Sequence, residues 1–180
     1  MDLTLNKPWE QGAQGKNDAW FLPRPKKNKY PGGIPLHAEE WITKMAMHLY
    51  GEKIKEKYIL QPFGGAGKYG LILDIKDEAN PDLIADAHNL PFKDKIFKVV
   101  FCDPPYSNKE AKEIYGTPPL SYKDWSQEAE RVLQNKGILI LYHKHILPNP
   151  NPKVLSLKKR VFLGNRVYHT PRVIQFYQKN

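Results

Sequence analysis

In Val99-Val100-Phe101-Cys102-Asp103-Pro104-Pro105-Tyr106-Ser107, four apolar residues run straight into an acid, two prolines and a tyrosine. The apolar run predicts a buried strand. The prolines hold its exit rigid, with φ fixed at roughly −65° and no amide proton to donate. Asp103 and the Pro104 carbonyl are then acceptors, and Tyr106 offers a flat surface. Such a group suits a planar molecule bearing an amino group, whose two hydrogens go to Asp103 and Pro104 while its ring lies on Tyr106. With both N–H bonds held, the nitrogen lone pair leaves conjugation and becomes nucleophilic without a strong base.

Outward from this strand, short apolar runs of β-like length recur at 58–63, 71–75 and 83–85, separated by Gly, Pro, Asn and Asp turns. Trp41, Ile42, Met45, Ala46 and Leu49 recur at helical spacing before Gly51 and predict a helix over 37–50. A second helix is expected over 122–134, with Trp125, Ala129, Val132 and Leu133 inward, ended by Asn135-Lys136-Gly137. Residues 138–142 read as a strand covered on both faces, and 157–163 with 172–177 as an antiparallel closing pair. The expected fold is α/β: a Rossmann-like, mostly parallel sheet with an antiparallel last strand.

Three strand ends carry further chemistry. Gln61-Pro62-Phe63-Gly64-Gly65-Ala66-Gly67 is a glycine-rich turn that lets a ligand lie on the main chain. At the next strand end, Asp74 is placed to accept hydrogen bonds from ribose hydroxyls of a nucleoside. Asp86, followed by Ala87, can accept from an adenine amino group. Each acid, taken singly, also fits a helix cap or a turn.

The chain has 180 residues and a formal charge of +9, from 28 Lys and Arg against 19 Asp and Glu. That excess attracts polyanions, nucleic acid foremost, although it also serves plain solubility. Residues 1–35 lack periodicity and set Arg24, Lys26, Lys27 and Lys29 beside Trp20, Phe21 and Tyr30. They read as a basic aromatic arm ahead of a domain over 36–180, suited to a nucleic-acid strand or merely anchored by its aromatics. The lone Cys102, the lack of a bilayer-length apolar run and an N-terminus without an apolar stretch point to a cytoplasmic protein with no membrane partner.

Taken in order, residues 64–67, Asp74, Asp86 and Asp103-Pro104-Pro105-Tyr106 resemble the class I S-adenosylmethionine-dependent methyltransferases. The last four resemble the DPPY motif of the enzymes that methylate amino groups of adenine or cytosine in DNA. The likeness spans residues 35–177 and implies S-adenosyl-L-methionine as cofactor and Asp103, Pro104, Pro105 and Tyr106 as catalytic residues. Phe63, Gly64, Gly65 and Gly67 would line the cofactor, Asp74 hold its ribose, and Asp86 with Ala87 contact its adenine. Residues 35–40 are loosely similar to the segment against the methionine end, and 160–178 to the reversed last strand with its neighbour.

Two departures stand out. Only residues 64–70 separate the first two of these strands, too few for a crossover helix, so that helix is expected to be missing or shortened. The sheet face it leaves is expected to be covered by the Trp20 and Phe21 arm or by a second subunit. No insertion is large enough for a target-recognition domain, which leaves target reading to the arm, to residues 108–122, to a partner or to substrate shape. DNA leads RNA as the expected substrate, a protein glutamine is a further amine acceptor, and a non-catalytic nucleic-acid-binding module is the reading from another class. His143 and His145, alternating at a strand end, are expected on opposite faces and not as metal ligands. Residues 108–119 are placed to form a lid or a surface loop.

Overall fold

The computed structural model describes residues 15–22, 34, 37–164 and 170–180. Eight strands form one sheet: β1 (Asn17–Phe21), β2 (Ile59–Gln61), β3 (Leu71–Asp74), β4 (Leu83–Ile84), β5 (Phe97–Cys102), β6 (Leu133–His143), β7 (Leu155–Gly164) and β8 (Arg172–Lys179). Their order is β1-β7-β8-β6-β5-β2-β3-β4. β8 runs antiparallel to both its neighbours, and the other pairs are parallel. From β2 the chain winds outward to β3 and β4; from β5 it winds the other way to β6. The β2/β5 boundary is therefore the switch point of a doubly wound, Rossmann-like sheet, where ligands bind beyond the carboxyl ends of the strands.

Helices are few. α1 (Ala38–Tyr50) turns Trp41, Ile42, Met45 and Ala46 inward, and Gly51 closes it in the left-handed conformation by donating to the Met47 carbonyl at 3.0 Å. α2 (Asn108–Glu110) runs into a π turn, Ala111–Tyr115. α3 (Tyr122–Val132) buries Trp125, Ser126, Ala129 and Val132 behind a Ser121 cap. Its end departs from the sequence expectation of 134: Leu133 is already extended and pairs with Phe97, and the Val132 carbonyl accepts from Ile96 N–H at 2.8 Å. Sheet pairing thus claims the residues that a lone helical pattern would have kept.

No helix follows β2. Residues 62–70 turn back on themselves and deliver the chain directly to β3. The return hinges on Gly70, with φ +91° and a virtual Cβ 2.5 Å from the Ile59 carbonyl oxygen. Left-handed backbone and contact with another main chain both require glycine there. Gly70→Ala is expected to cost about 3 kcal/mol, since strain and overpacking add. Urea unfolding checks this, and a loss below about 1 kcal/mol would mean that the turn relaxes freely.

The face left bare by the missing helix is covered from within the chain. Ala38, Trp41, Ile42, Met45 and Ala46 of α1 pack on Ile59, Val99, Phe101, Ile138, Ile140 and Tyr142. Trp20 joins them, 1% exposed, with its ring edge-on to Trp41 at 5.8 Å. The residues read as an arm therefore contain an edge strand, β1, paired in parallel with β7. Trp20 points into the core whereas its neighbour Phe21 is 80% exposed, as strand alternation requires. Arg24, Lys26, Lys27, Lys29, Tyr30 and Pro35 lie outside the described residues. The opposite face packs Leu60, Leu73, Val100, Cys102, Leu139 and Leu141 beneath Trp125, Ala129 and Val132. Among the described residues no helix is long and apolar enough to cross a membrane.

Candidate active site

The pairings of β5 with β2 and β6 bring their carboxyl ends to one edge, and β8, being reversed, starts at that same edge. Asp103 leaves β5 half-buried there. Burial pushes its carboxyl up to about 8, against the opposing pull of the Arg172 guanidinium and a hydrogen bond with Tyr106, while Glu39 adds to the rise. Below that pH the acid is protonated, and above it the carboxylate is an acceptor. Pro104 is buried, and Pro105 and Tyr106 are half-buried.

Tyr106 is held from several sides. Its hydroxyl accepts from Arg172 Nε at 2.9 Å, and the guanidinium carbon lies 4.9 Å from the ring centre. Lys144 Nζ stands 4.7 Å from the same centre and pairs with Glu110, whose other oxygen accepts from Tyr106 N–H at 3.0 Å. His143 meets the ring edge-on at 5.0 Å. Burial, with His145 beside it, lowers the His143 imidazole to about 4, so it is neutral near pH 7. Burial and the Asp103 charge push the Tyr106 phenol far above its usual range, which keeps its proton in place. The ring predicted as an open stacking plate is thus flanked by two cations and an imidazole.

His143 and His145 do not face opposite ways. Strand β6 ends at His143, the chain bends, and the two rings lie 5.5 Å apart with His145 N–H donating to His143 Nδ1 at 3.1 Å.

The glycine turn lies beyond β2, next to β5. Gly64 N–H donates to the Leu73 carbonyl at 2.9 Å, Gly67 N–H to the Gly64 carbonyl at 2.7 Å, and Gly65 N–H to Asp74 Oδ2 at 3.0 Å. A Cβ on Gly64 would stand 2.4 Å from Ile72 Cγ2, so the core beneath already dictates glycine there. Asp74 also accepts from Lys76 N–H at 3.0 Å. Of the roughly four acceptor sites of a carboxylate, two remain. Ile75, next to it, is 39% exposed and forms an apolar shelf. Phe63 packs edge-on against Trp125 at 5.4 Å, joining the glycine turn to α3.

Asp86 accepts at Oδ1 from His88 N–H at 2.9 Å and lies 2.7 Å from His88 Nδ1. Burial would raise its carboxyl, but the two His88 hydrogen bonds outweigh that and hold it below the usual range. His88 Nε2 accepts from Ser121 N–H at 3.0 Å, which fixes the ring proton on Nδ1 and ties this loop to the start of α3. Ala87 beside it is buried.

Glu39 escaped the sequence reading. From the first turn of α1 its Oε1 accepts from Gln61 Nε2, Lys68 N–H and Tyr69 N–H at 2.7, 2.6 and 3.1 Å. It pins the glycine turn to α1 and sets a carboxylate near Asp103. The only hint was its place in residues 35–40. Residues 108–119, expected as a lid or a surface loop, begin after Tyr106 as α2 and the π turn, and Gly116 comes near Lys76: a Cβ there would be 3.7 Å from Lys76 Nζ. The segment thus reaches from the Asp103 exit to the β3 exit.

No family model and no curated protein matches the chain. Among solved structures, MccD is 14% identical at a TM-score of 0.48, over 78% of this chain and 97% of that one. HI0767 of Haemophilus influenzae, a methylase-like protein, is 14% identical at 0.49, over 80% and 97%. A SAM-dependent methyltransferase from Aquifex aeolicus is 12% identical at 0.44, over 79% and 98%. The fold itself is established by the strand order and by the single reversed strand β8.

Proposed function

We propose that the chain is an S-adenosylmethionine-dependent methyltransferase acting on an exocyclic amino group of a nucleic-acid base, adenine or cytosine in DNA foremost. The observation that carries this reading is the convergence of the glycine turn with Asp74 and of Asp103 with Tyr106 at adjoining strand ends of the switch point. The residues fit the cofactor: Asp74 keeps acceptor capacity for ribose hydroxyls, Ile75 offers a purine an apolar face, and the acids Glu39 and Asp103 suit the neighbourhood of a cation. When bound, S-adenosylmethionine supplies an electrophilic methyl group.

The chain's own residues do the rest. Asp103 and the Pro104 carbonyl hold the two amino hydrogens, so the nitrogen lone pair is freed from the ring. Methylation turns that nitrogen into a strong acid, and Asp103, less acidic than an ordinary aspartic acid, is a competent acceptor for the displaced proton. The formal charge of +9 favours a polyanionic substrate over a protein one. Methyl acceptance from labelled cofactor, compared on DNA, RNA and protein, tests the choice. Incorporation confined to protein would overturn the nucleic-acid part.

Because Asp103 must be ionised to accept its amino hydrogen and then the displaced proton, kcat/KM should rise tenfold per pH unit up to about 8 and level off above it. The stability sign is opposite. Between the unfolded value near 3.8 and the folded value near 8 the native state holds the proton more tightly, so stability falls as pH rises through that window. A rate profile flat from pH 6 to 9 would remove Asp103 from the chemistry.

A further inference from the structure

Arg172 belongs to none of the motifs, yet the reversal of β8 sets it at the edge where β5 and β6 end. Its Nε donates to the Tyr106 hydroxyl at 2.9 Å, its guanidinium carbon lies 4.9 Å from the Tyr106 ring centre, and its Nη1 donates to the Thr170 carbonyl at 2.8 Å. Anchored at both ends, the guanidinium fixes the direction of the hydroxyl that faces Asp103. Lys144 also touches the ring, but Glu110 neutralises it.

We propose that Arg172 is a positioning residue of the methyl-transfer site: it holds Tyr106 in one orientation and supplies the positive charge that lets Asp103 act as an acceptor. This rests on the methyltransferase reading above. Among the described residues, the titratable and charged groups facing Asp103 are Cys102 and Tyr106 from its own segment, Glu39 from α1, Tyr142 from β6 and Arg172 from β8. Arg172 is the sole cation in that set. Without it, the described groups facing Asp103 are neutral or acidic, and Asp103 ionises later as pH rises. A planar fork that bonds the Tyr106 hydroxyl and the Thr170 carbonyl in fixed directions has no equivalent in lysine, so charge and orientation can be separated by substitution.

The test uses the full chain as wild type, Arg172→Gln and Arg172→Lys. The Asp103 carboxyl is titrated by carbon NMR, and methyl transfer is followed over pH 6 to 10. For Arg172→Gln the Asp103 titration and the acid limb of kcat/KM should move up together by about one pH unit. Cofactor KM should stay within about twofold, because Asp74 and the glycine turn are untouched. Arg172→Lys should restore the limb but leave the plateau kcat about tenfold low, because the Tyr106 fork is lost. Should Arg172→Gln fail to fold, Arg172→Lys decides alone: a tenfold lower plateau with an unmoved limb supports the proposal, and full wild-type activity overturns it. Titration and rate curves of Arg172→Gln that overlay those of the wild type also overturn it. If the NMR titration moves while the wild type transfers no methyl group to any substrate, the methyltransferase reading fails and the link between Arg172 and Asp103 stands.

Discussion

Replacing Asp103 with alanine will cut methyl transfer by about 10³-fold while cofactor affinity stays within about threefold, since a lost preorganised hydrogen-bonding group commonly costs that much. The expectation follows from position. Asp103 leaves β5 beside the glycine turn but is absent from its hydrogen-bond network, which runs through Leu73, Asp74, Gln61 and Glu39. Its carboxyl stands at about 8 because burial opposes its charge, so the site holds an acid that the fold itself does not favour in ionised form. Asp103→Asn should then be at least as stable as the wild type at pH 9, although it transfers little. Single-turnover rates with labelled cofactor, beside melting curves at pH 6 and 9, read both halves. Retention of more than a tenth of the wild-type rate in Asp103→Ala would mean that the amine is held elsewhere.

Trp20→Ala should lower stability by about 3–5 kcal/mol, the usual cost of truncating a buried tryptophan. In a chain of this size that corresponds to a drop of about 10 °C in melting temperature. Trp20 is 1% exposed, packs edge-on to Trp41 and sits in the cluster that also holds Ile59 and Phe101 of the switch-point strands. Phe21→Ala, next to it but 80% exposed, should change stability by less than about 0.5 kcal/mol. This contrast separates a core role from a generic effect of aromatics in the segment. Equal losses in the two variants would show that β1 does not dock as described.

Local pattern revealed β2 to β8 and the two long helices because each carries an apolar run or period of its own. Val99 to Cys102 is uniformly apolar, and Trp41, Ile42 and Met45 mark one helical face. The missing first helix was equally legible, since a crossover cannot be fitted between the glycine turn and Leu71. Elements decided by pairing were not legible. β1 exists because Asn17 to Phe21 find β7, whose register partners begin at Arg160 far along the chain. Leu133 leaves α3 because Phe97 offers it a strand partner.

The same split governs the site. Asp103, Asp74 and the glycines announce themselves at strand ends, where turn chemistry and apolar runs meet. Arg172 and Glu39 do not, because their partners Tyr106 and the 68–69 main chain are reached only through the sheet order and the docking of α1. Tyr106 shows the limit from the other side. Its identity was readable, but the cations beside it come from β8 and from the bend after β6.

Titration calorimetry of the full chain with S-adenosylmethionine asks most directly whether this edge of the sheet is a cofactor site. One saturable heat of unit stoichiometry is expected, retained in Asp103→Ala and weakened at least tenfold in Asp74→Ala, which removes the ribose acceptor. Absence of any heat at millimolar cofactor, or equal binding by Asp74→Ala, would contradict it.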